Sequence, residues 1–426
     1  MTAARPLPYS RHAIDEDDIA AVAAVLRGDW LTTGPAVRDF ETALAQRCGA
    51  EHAVTCANGT AALHLASLAL GLGPDHTVIV PTMTFAATAN APRHTGAEIW
   101  FADCDPSSGL MGPAQFEAAL AGLKRAGRRA AAVFPVDLAG QCADIEAIAA
   151  IARDEGVAIV EDSCHALGTR YQRRDGTWHN VGACTDSDIT VFSFHPVKTI
   201  AAGEGGAALT RQPDLAKRMA MFRNHGVNRE PAQFTDREAG FDSAPVNAPV
   251  KAQVNAQVNP WYYEMTALGM NYRLSDISCA LANSQLGKLD RFIDARQHLA
   301  ARYDRLLASF APLLRPIARQ PYCHAGWHLY SVLIDFPSGP MSRGQLVRAL
   351  EERGIRTQVH YIPVHRHPYY RDRYGAIVLP GAEAYYRQTL SLPLFVGMEE
   401  RDVDDVVAAL GDLLGLTADR ARQRVM

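Results

Sequence analysis

The chain has few features of a secreted, membrane-bound or nucleic-acid-binding protein. Its eight cysteines are scattered over 426 residues with no Cys-x-x-Cys pair, so we expect free and mostly buried thiols rather than a disulfide framework. No apolar run reaches about 18 residues and no signal-peptide pattern opens the sequence, which predicts a cytoplasmic protein without membrane insertion. A formal net charge of −4, with no dense basic block, argues against general affinity for nucleic acids.

The chain does contain enough apolar sequence for a large core. Hydrophobic residues make up 48% of it, and its length is typical of two domains of about 100 to 200 residues each. From Val54 to about Leu209, strand-like runs alternate with helical patterns. This alternation predicts an α/β fold with a mainly parallel sheet covered by helices.

The pattern changes near residue 271 and predicts a division of the chain. We expect an N-terminal helical segment over residues 1–30, a large domain over 31–270, and a smaller α+β domain over 271–426. The small domain is predicted to open with one long amphipathic helix that ends near Leu307. Residues 227–260 contain a low-complexity quasi-repeat, which favours a surface insertion in the large domain.

One lysine stands where an apolar strand runs into a glycine-rich turn. The segment VFSFHPVK (191–198) ends at Lys198 and is followed directly by TIAAGEGG (199–206). Lysine is rarely fully buried, so one that leaves a strand of this kind needs an acidic partner or a covalent task. A desolvated amine loses its proton easily and can form a Schiff base with an aldehyde cofactor.

A carboxylate is predicted near this lysine. The segment VAIVED (157–162) reads as a buried parallel strand ending in Glu161 and Asp162, and ligands bind at the carboxyl ends of such strands. Asp162 could hold the ring nitrogen of an aromatic cofactor in its protonated form, which lets the ring accept electrons. Glu161 should point to the opposite face of the strand.

Two further strands end in groups that suit a phosphate and an aromatic ring. Gly59 and Thr60 open a helix directly after the strand at 53–56, and their N–H groups, the Thr60 hydroxyl and the helix dipole suit a dianion. Ser193, on the strand before Lys198, offers a second hydroxyl. Phe85 follows the strand at 77–80 and could cover a ring.

Each of these signals alone has an ordinary structural explanation: a helix cap, a core aromatic, a strand-end carboxylate or a surface lysine. Their shared position at the carboxyl ends of predicted strands brings them to one edge of the sheet. A lysine, an acid for a ring nitrogen, an aromatic cover and phosphate donors are what pyridoxal 5′-phosphate (PLP) requires.

The motifs also resemble a known family over nearly the whole length. The chain is similar to the DegT/DnrJ/EryC1/StrS nucleotide-sugar aminotransferases, which have the fold-type I PLP-dependent architecture. The segments that carry the resemblance are LTTGP (31–35), NGT (58–60), EDSCHA (161–166), SFHPVK (193–198), GEGG (203–206), RNHG (223–226), NYRLSD (271–276) and WHLY (327–330).

Three segments narrow the resemblance within the family. PWYYEM (260–265), FHPVK (194–198) and VHYIPVH (359–365) most resemble the 4-aminotransferases of the pseudaminic acid pathway. This resemblance implies a UDP-linked 4-keto-6-deoxy-N-acetylhexosamine as substrate and L-glutamate as amino donor. An aminotransferase for a GDP- or dTDP-linked keto sugar stays as the alternative.

The resemblance also implies roles for individual residues. It places Lys198 as the Schiff base lysine, Asp162 at the pyridine nitrogen and His165 beside the phenolic oxygen of the coenzyme, and it assigns Gly59, Thr60 and Ser193 to the phosphate. Asn271 would reach the phosphate from a second subunit, which implies a homodimer with shared active sites. Arg273 would lie close by.

The histidines after residue 350 are weighed separately. His360 and His365 belong to a segment that approaches the mouth of the site in relatives, so they are candidate contacts to the sugar or its diphosphate. No two histidines have a metal-binding spacing that a third ligand supports, and we predict no metal site.

Three other functions are weaker interpretations. A sugar dehydratase of the same family has histidine in place of the lysine, so Lys198 favours transamination. A Rossmann oxidoreductase needs a Gly-x-Gly-x-x-Gly spacing after a first strand, and neither 71–73 nor 203–206 provides it. A non-catalytic homologue would not need an intact set of Lys198, Asp162, Thr60 and Ser193.

Overall fold

The computed structural model describes residues 6–241 and 257–416. The flanks of the predicted insertion at 227–260 lie within these ranges. Residues 242–256, which hold most of the quasi-repeat, lie outside the described residues.

A seven-stranded mixed sheet forms the centre of the molecule, in the order β1-β9-β8-β5-β4-β2-β3. β9 runs antiparallel to both of its neighbours, and the other four pairings are parallel. Its strands are β1 (His52–Cys56), β2 (Thr77–Pro81), β3 (Glu98–Ala102), β4 (Ala132–Val133), β5 (Ala158–Asp162), β8 (Ile189–Ser193) and β9 (Gly206–Thr210). The predicted α/β class, with a mainly parallel sheet, is confirmed.

Helices cover both faces of this sheet, as the alternating pattern predicts. The helices between residues 16 and 240 are α1 (Glu16–Arg27), α2 (Pro35–Cys48), α3 (Gly59–Ala69), α4 (Ala87–His94), α5 (Pro113–Arg125), α6 (Ile145–Glu155), α7 (Pro213–Arg223) and the short α8 (Arg237–Gly240). The alternation of side chains along each strand separates two buried clusters: Phe192 and Ile79 belong to one, Val191 and Val80 to the other.

Smaller antiparallel sheets accompany the central one. β6 (Arg170–Gln172), β7 (Trp178–Asn180) and β13 (Cys323–His324) form one; β10 (Val227–Asn228) and β11 (Glu264–Met265) pair at the base of the predicted insertion. β12 (Leu314–Pro316), β14 (Tyr330–Ile334) and β15 (Thr389–Leu392) form a third sheet with its own apolar cluster. The remaining helices are α9 (Asp276–Leu286), α10 (Leu289–Leu307), α11 (Arg343–Glu352), α12 (Pro368–Tyr374), α13 (Pro380–Gln388) and α14 (Glu400–Leu414).

The prediction of a single long helix ending near Leu307 was wrong, because two helices occupy that stretch. α9 ends at Leu286 and α10 begins at Leu289, with Gly287 and Lys288 between them. The break places the Lys288 ammonium 2.8 Å from the carboxylate of Asp18 in α1. α9 can therefore pack against α1 and α2 while α10 continues in a different direction.

The cysteine prediction is confirmed: all eight thiols are free, and six of them are buried. Within residues 6–241 and 257–416, no helix is long and apolar enough to span a lipid bilayer.

Candidate active site

A cavity of about 780 Å³ opens at the carboxyl ends of β5 and β8. The sheet order places these two strands side by side, so their terminal residues meet at one edge. Eight of the predicted site residues line this cavity: Gly59, Thr60, Phe85, Asp162, His165, Ser193, Lys198 and His360.

Lys198 follows the turn that leaves β8, where its backbone N–H donates to the carbonyl of His195 at 2.8 Å. Among the residues that the structure describes, its Nζ atom has no hydrogen-bond or ion-pair partner. Burial lowers the pKa of this amine, and the nearby Cys164 and Asp162 partly oppose that shift. The amine therefore loses its proton more easily than an ordinary lysine and is free to react.

Asp162 ends β5 and is buried, with two hydrogen bonds to its carboxylate. The Thr88 hydroxyl donates to Oδ2 at 2.6 Å, and the Cys164 backbone N–H donates to Oδ1 at 3.2 Å. These donors fix the position of the carboxylate at the end of β5. The role of Thr88 was missed from the sequence, although it lies only three residues after Phe85.

The end of the cavity beside α3 offers backbone donors. The Asn58 side chain caps α3 by accepting the Ala61 N–H at 2.8 Å, which leaves the first N–H groups of the helix at the cavity edge. The loop passes very close to β9, because a Cβ atom on Gly206 would lie 2.4 Å from the Asn58 carbonyl oxygen. Glycine at 206 is thus required for this close approach of the turn to β9.

His165 is buried and is held between two partners. Its Nδ1 accepts the backbone N–H of Ala139 at 3.3 Å, and its Nε2 lies 3.0 Å from the Tyr361 hydroxyl oxygen. Burial and the charge of Lys198 lower the pKa of His165 well below its usual range, so the ring is neutral. Tyr361 lines the cavity and was not among the predicted site residues, although it stands next to His360 in the quoted VHYIPVH segment.

Phe85 and His360 lie at different depths of the cavity. Phe85 is 60% exposed, and its ring centroid lies 5.9 Å from that of Tyr361, so it stands at the cavity mouth. His360 is buried and its Nδ1 lies 2.9 Å from the Ser391 hydroxyl oxygen. Burial, with the charge of Lys198, lowers the pKa of His360 to about 3, so this ring is neutral as well.

Three predicted residues are not brought to the cavity of their own chain. His365 is buried outside its lining, with Nδ1 2.7 Å from the Thr82 hydroxyl oxygen. Asn271 is exposed, and its backbone bridges to Asn224. Arg273 donates to the Asn224 side-chain oxygen at 2.6 Å.

Glu161 points to the opposite face of β5, as the alternation predicts. It accepts the Thr190 hydroxyl at 2.9 Å and lies beside Asp137, a second buried carboxyl. Burial raises the pKa of Glu161 to about 7, against the hydrogen bonds from Thr190 and Ser187, and burial with the charge of Glu161 raises the pKa of Asp137 well above its usual range. The opposite face of the strand that presents Asp162 therefore carries a buried pair of acids, both with raised pKa values.

This acid pair predicts a pH-dependent stability. Between about pH 4.5 and pH 7 the folded state retains a proton on Glu161 that the unfolded chain has released, so the free energy of unfolding falls as pH rises through this window. Glu161→Gln should make that fall smaller. Urea unfolding at several pH values measures it, with Glu117→Gln on the exposed face of α5 as the control. An unchanged pH profile in Glu161→Gln would contradict a protonated Glu161.

The donor set fits PLP. An unpaired amine, a fixed carboxylate, a capped helix N-terminus and the hydroxyl of Ser193 surround one cavity, and the close approach at Gly206 shapes the turn for an anion. Together with the sheet topology, this defines a fold-type I enzyme that uses PLP.

Comparisons with known proteins identify the family. The model of the DegT/DnrJ/EryC1/StrS aminotransferase family matches residues 12–411. SpsC, a spore coat polysaccharide biosynthesis protein of Bacillus subtilis, is 36% identical over 411 residues, which cover 96% of this chain and 97% of SpsC. The chain belongs to the DegT/DnrJ/EryC1/StrS family and is a PLP-dependent sugar aminotransferase.

Solved structures agree with this assignment. PseC of Helicobacter pylori, an aminotransferase involved in the biosynthesis of pseudoaminic acid, superposes with a TM-score of 0.81 at 26% identity, covering 96% of this chain and 100% of PseC. DesV of S. venezuelae superposes with a TM-score of 0.77 at 30% identity, covering 96% of this chain and 98% of DesV.

Proposed function

We propose that this enzyme transfers the amino group of L-glutamate to carbon 4 of a UDP-linked 4-keto-6-deoxy-N-acetylhexosamine. The observation that carries transamination is the unpaired Lys198 amine in the same cavity as the Asp162 carboxylate. The likeness to PseC and the PWYYEM and VHYIPVH segments support the sugar class. An aminotransferase for a GDP- or dTDP-linked keto sugar is the second candidate, because SpsC, the more similar sequence at 36% identity, is a polysaccharide biosynthesis protein whose name specifies no nucleotide.

Each residue has a distinct task in this proposal. When bound, PLP supplies an aldehyde that takes up the amino group and a ring that accepts electrons. Lys198 anchors it and moves a proton at its Nζ atom, which its lowered pKa allows. Asp162 holds a proton at the ring nitrogen, while Gly59, Thr60 and Ser193 bind the phosphate.

The cavity of one chain has too few positively charged side chains for the anionic groups of its proposed substrates. Lys198 is the one lysine or arginine that lines it within the described ranges, whereas glutamate brings two carboxylates and the nucleotide a diphosphate. We propose that a second copy completes the site through Asn271, with Arg273 nearby. Exposed apolar side chains directly precede Asn271 in the chain, in particular Leu268 at 84% exposure and Met270, and a second copy would bury them.

Asp162→Asn should retain the coenzyme but slow both half-reactions by about 10²-fold, the usual scale for one lost charge-stabilising group. Asparagine can hydrogen-bond the ring nitrogen but cannot hold its positive charge. Single-turnover reduction of the coenzyme by glutamate measures the effect, with Asp154→Asn on the exposed face of α6 as the control. Wild-type rates in Asp162→Asn would show that Asp162 does not hold the positive charge on the ring nitrogen.

A substrate panel tests the function itself. The enzyme would be given UDP-, GDP- and dTDP-linked 4-keto sugars with glutamate, and the mass and stereochemistry of each product would be determined. We expect a 4-amino product from the UDP-linked N-acetylhexosamine. Amination of a dTDP- or GDP-linked sugar in its place would favour the second candidate, and loss of water without amination would indicate a dehydratase.

A further inference from the structure

A short chain of hydrogen bonds fixes the direction in which one phenol presents its proton to the cavity. It begins at Ala139, whose backbone N–H donates to His165 Nδ1 at 3.3 Å. Since a backbone N–H can only donate, Nδ1 must be the unprotonated nitrogen. The proton of the neutral His165 ring is therefore on Nε2.

The next bond then has a defined direction. His165 Nε2 lies 3.0 Å from the Tyr361 hydroxyl oxygen, so the imidazole N–H donates and the phenol oxygen accepts. The ring is only 6% exposed and close to Lys198, which keeps it neutral. The Tyr361 hydroxyl therefore does not donate its proton to His165.

The Tyr361 hydroxyl has no second partner in the described part of the chain, although its ring lines the cavity. The rings of His360 and Phe85 flank it, with centroids 4.8 and 5.9 Å away. Burial, together with the charge of Asp162, raises the pKa of this phenol, so it keeps its proton at neutral pH. The Tyr361 oxygen therefore already accepts a hydrogen bond from His165, and its O–H proton is available to donate to a group bound in the cavity.

We propose that Tyr361, oriented by His165, donates a hydrogen bond to an acceptor oxygen held beside the Lys198 amine. This inference rests on the proposed function and adds a site residue to it. Two oxygens would suit that place: the phenolic oxygen of the coenzyme, on the ring carbon adjacent to the one that carries the aldehyde, and the keto oxygen of the amino acceptor. Both carry or develop negative charge, and a phenol donor stabilises either of them.

The direction of these hydrogen bonds can be tested without substrate. Nitrogen-15 NMR of the coenzyme-loaded protein, with His165 assigned by its loss in His165→Asn, should show an unprotonated Nδ1 and a protonated Nε2. A protonated Nδ1 would mean that the hydrogen bonds run in the opposite direction, and it would overturn the proposal.

Tyr361→Phe removes the donor and keeps the ring. If the acceptor is the coenzyme oxygen, the pH midpoint of the visible absorption should rise by about one unit and both half-reactions should slow. If the acceptor is the keto oxygen, the midpoint should stay, while the reaction of the aminated coenzyme with 2-oxoglutarate and its reverse, the reaction of the PLP form with glutamate, should both slow by about 10²-fold.

Tyr385→Phe is the matched control. Its hydroxyl is buried in the apolar cluster against which Tyr361 packs, but it does not line the cavity. Both readouts should keep wild-type values there. An unchanged midpoint and unchanged rates in Tyr361→Phe would overturn the proposal. If the wild-type enzyme does not exchange its amino group with 2-oxoglutarate, the glutamate assignment fails, while the midpoint and the NMR result still decide the role of Tyr361.

Discussion

Replacing Lys198 with alanine is expected to abolish turnover while leaving the fold intact. Proton transfer by one positioned group alone contributes about 10²- to 10⁴-fold, and this variant also loses the covalent anchor, so activity should fall by at least about 10⁴-fold. No neighbour can replace the amine, because Lys198 is the one lysine or arginine that lines the cavity in the described chain. Steady-state turnover with glutamate and the keto sugar measures the effect.

The control for this variant is Lys217→Ala. Lys217 lies on α7, 65% of its side chain is exposed, and its ammonium is 4.0 Å from the Glu230 carboxylate at the surface. Because exposed ion pairs contribute little, this variant should keep wild-type turnover and thermal stability. Circular dichroism should show the same fold for both variants. Near wild-type transamination by Lys198→Ala would refute the assignment of this lysine.

Sequence periodicity predicted the central fold because the core strands are buried on both faces. Strands such as β2 and β8 are continuous apolar runs, and each is followed by a residue type that the site needs. The break between α9 and α10 was missed for the opposite reason. The amphipathic pattern continues through Gly287 and Lys288, and the contact of Lys288 with Asp18 in α1 is long-range.

The site residues that sequence could predict are those whose residue type is itself required by the chemistry. Asp162 ends a strand, Lys198 follows one, and both line the same cavity. Thr88 and Tyr361 could not be selected in this way, because their positions depend on hydrogen bonds to Asp162 and His165 from distant segments. His365 shows the reverse case: a polar residue in a suggestive motif packs against Thr82 outside the cavity lining.

Mixing two inactive variants should restore activity if the site is shared between two copies. Asn271→Asp places a carboxylate where we propose an amide donor to the phosphate, and like-charge repulsion should weaken coenzyme binding in that variant. Lys198→Ala inactivates the other subunit type. In a mixed dimer one site carries both lesions and the other carries neither, so a random equal mixture should recover about a quarter of wild-type activity.

The geometry of one chain supplies the control for this experiment. Asp162 and Lys198 line the same cavity, so a mixture of Asp162→Ala with Lys198→Ala leaves one lesion in every site and should stay inactive. Asn271 is exposed and does not line that cavity, which is why its effect should cross to the partner. Native mass spectrometry must show that heterodimers form in both mixtures. If heterodimers with Asn271→Asp form but no activity returns, Asn271 does not act on the site of a second copy.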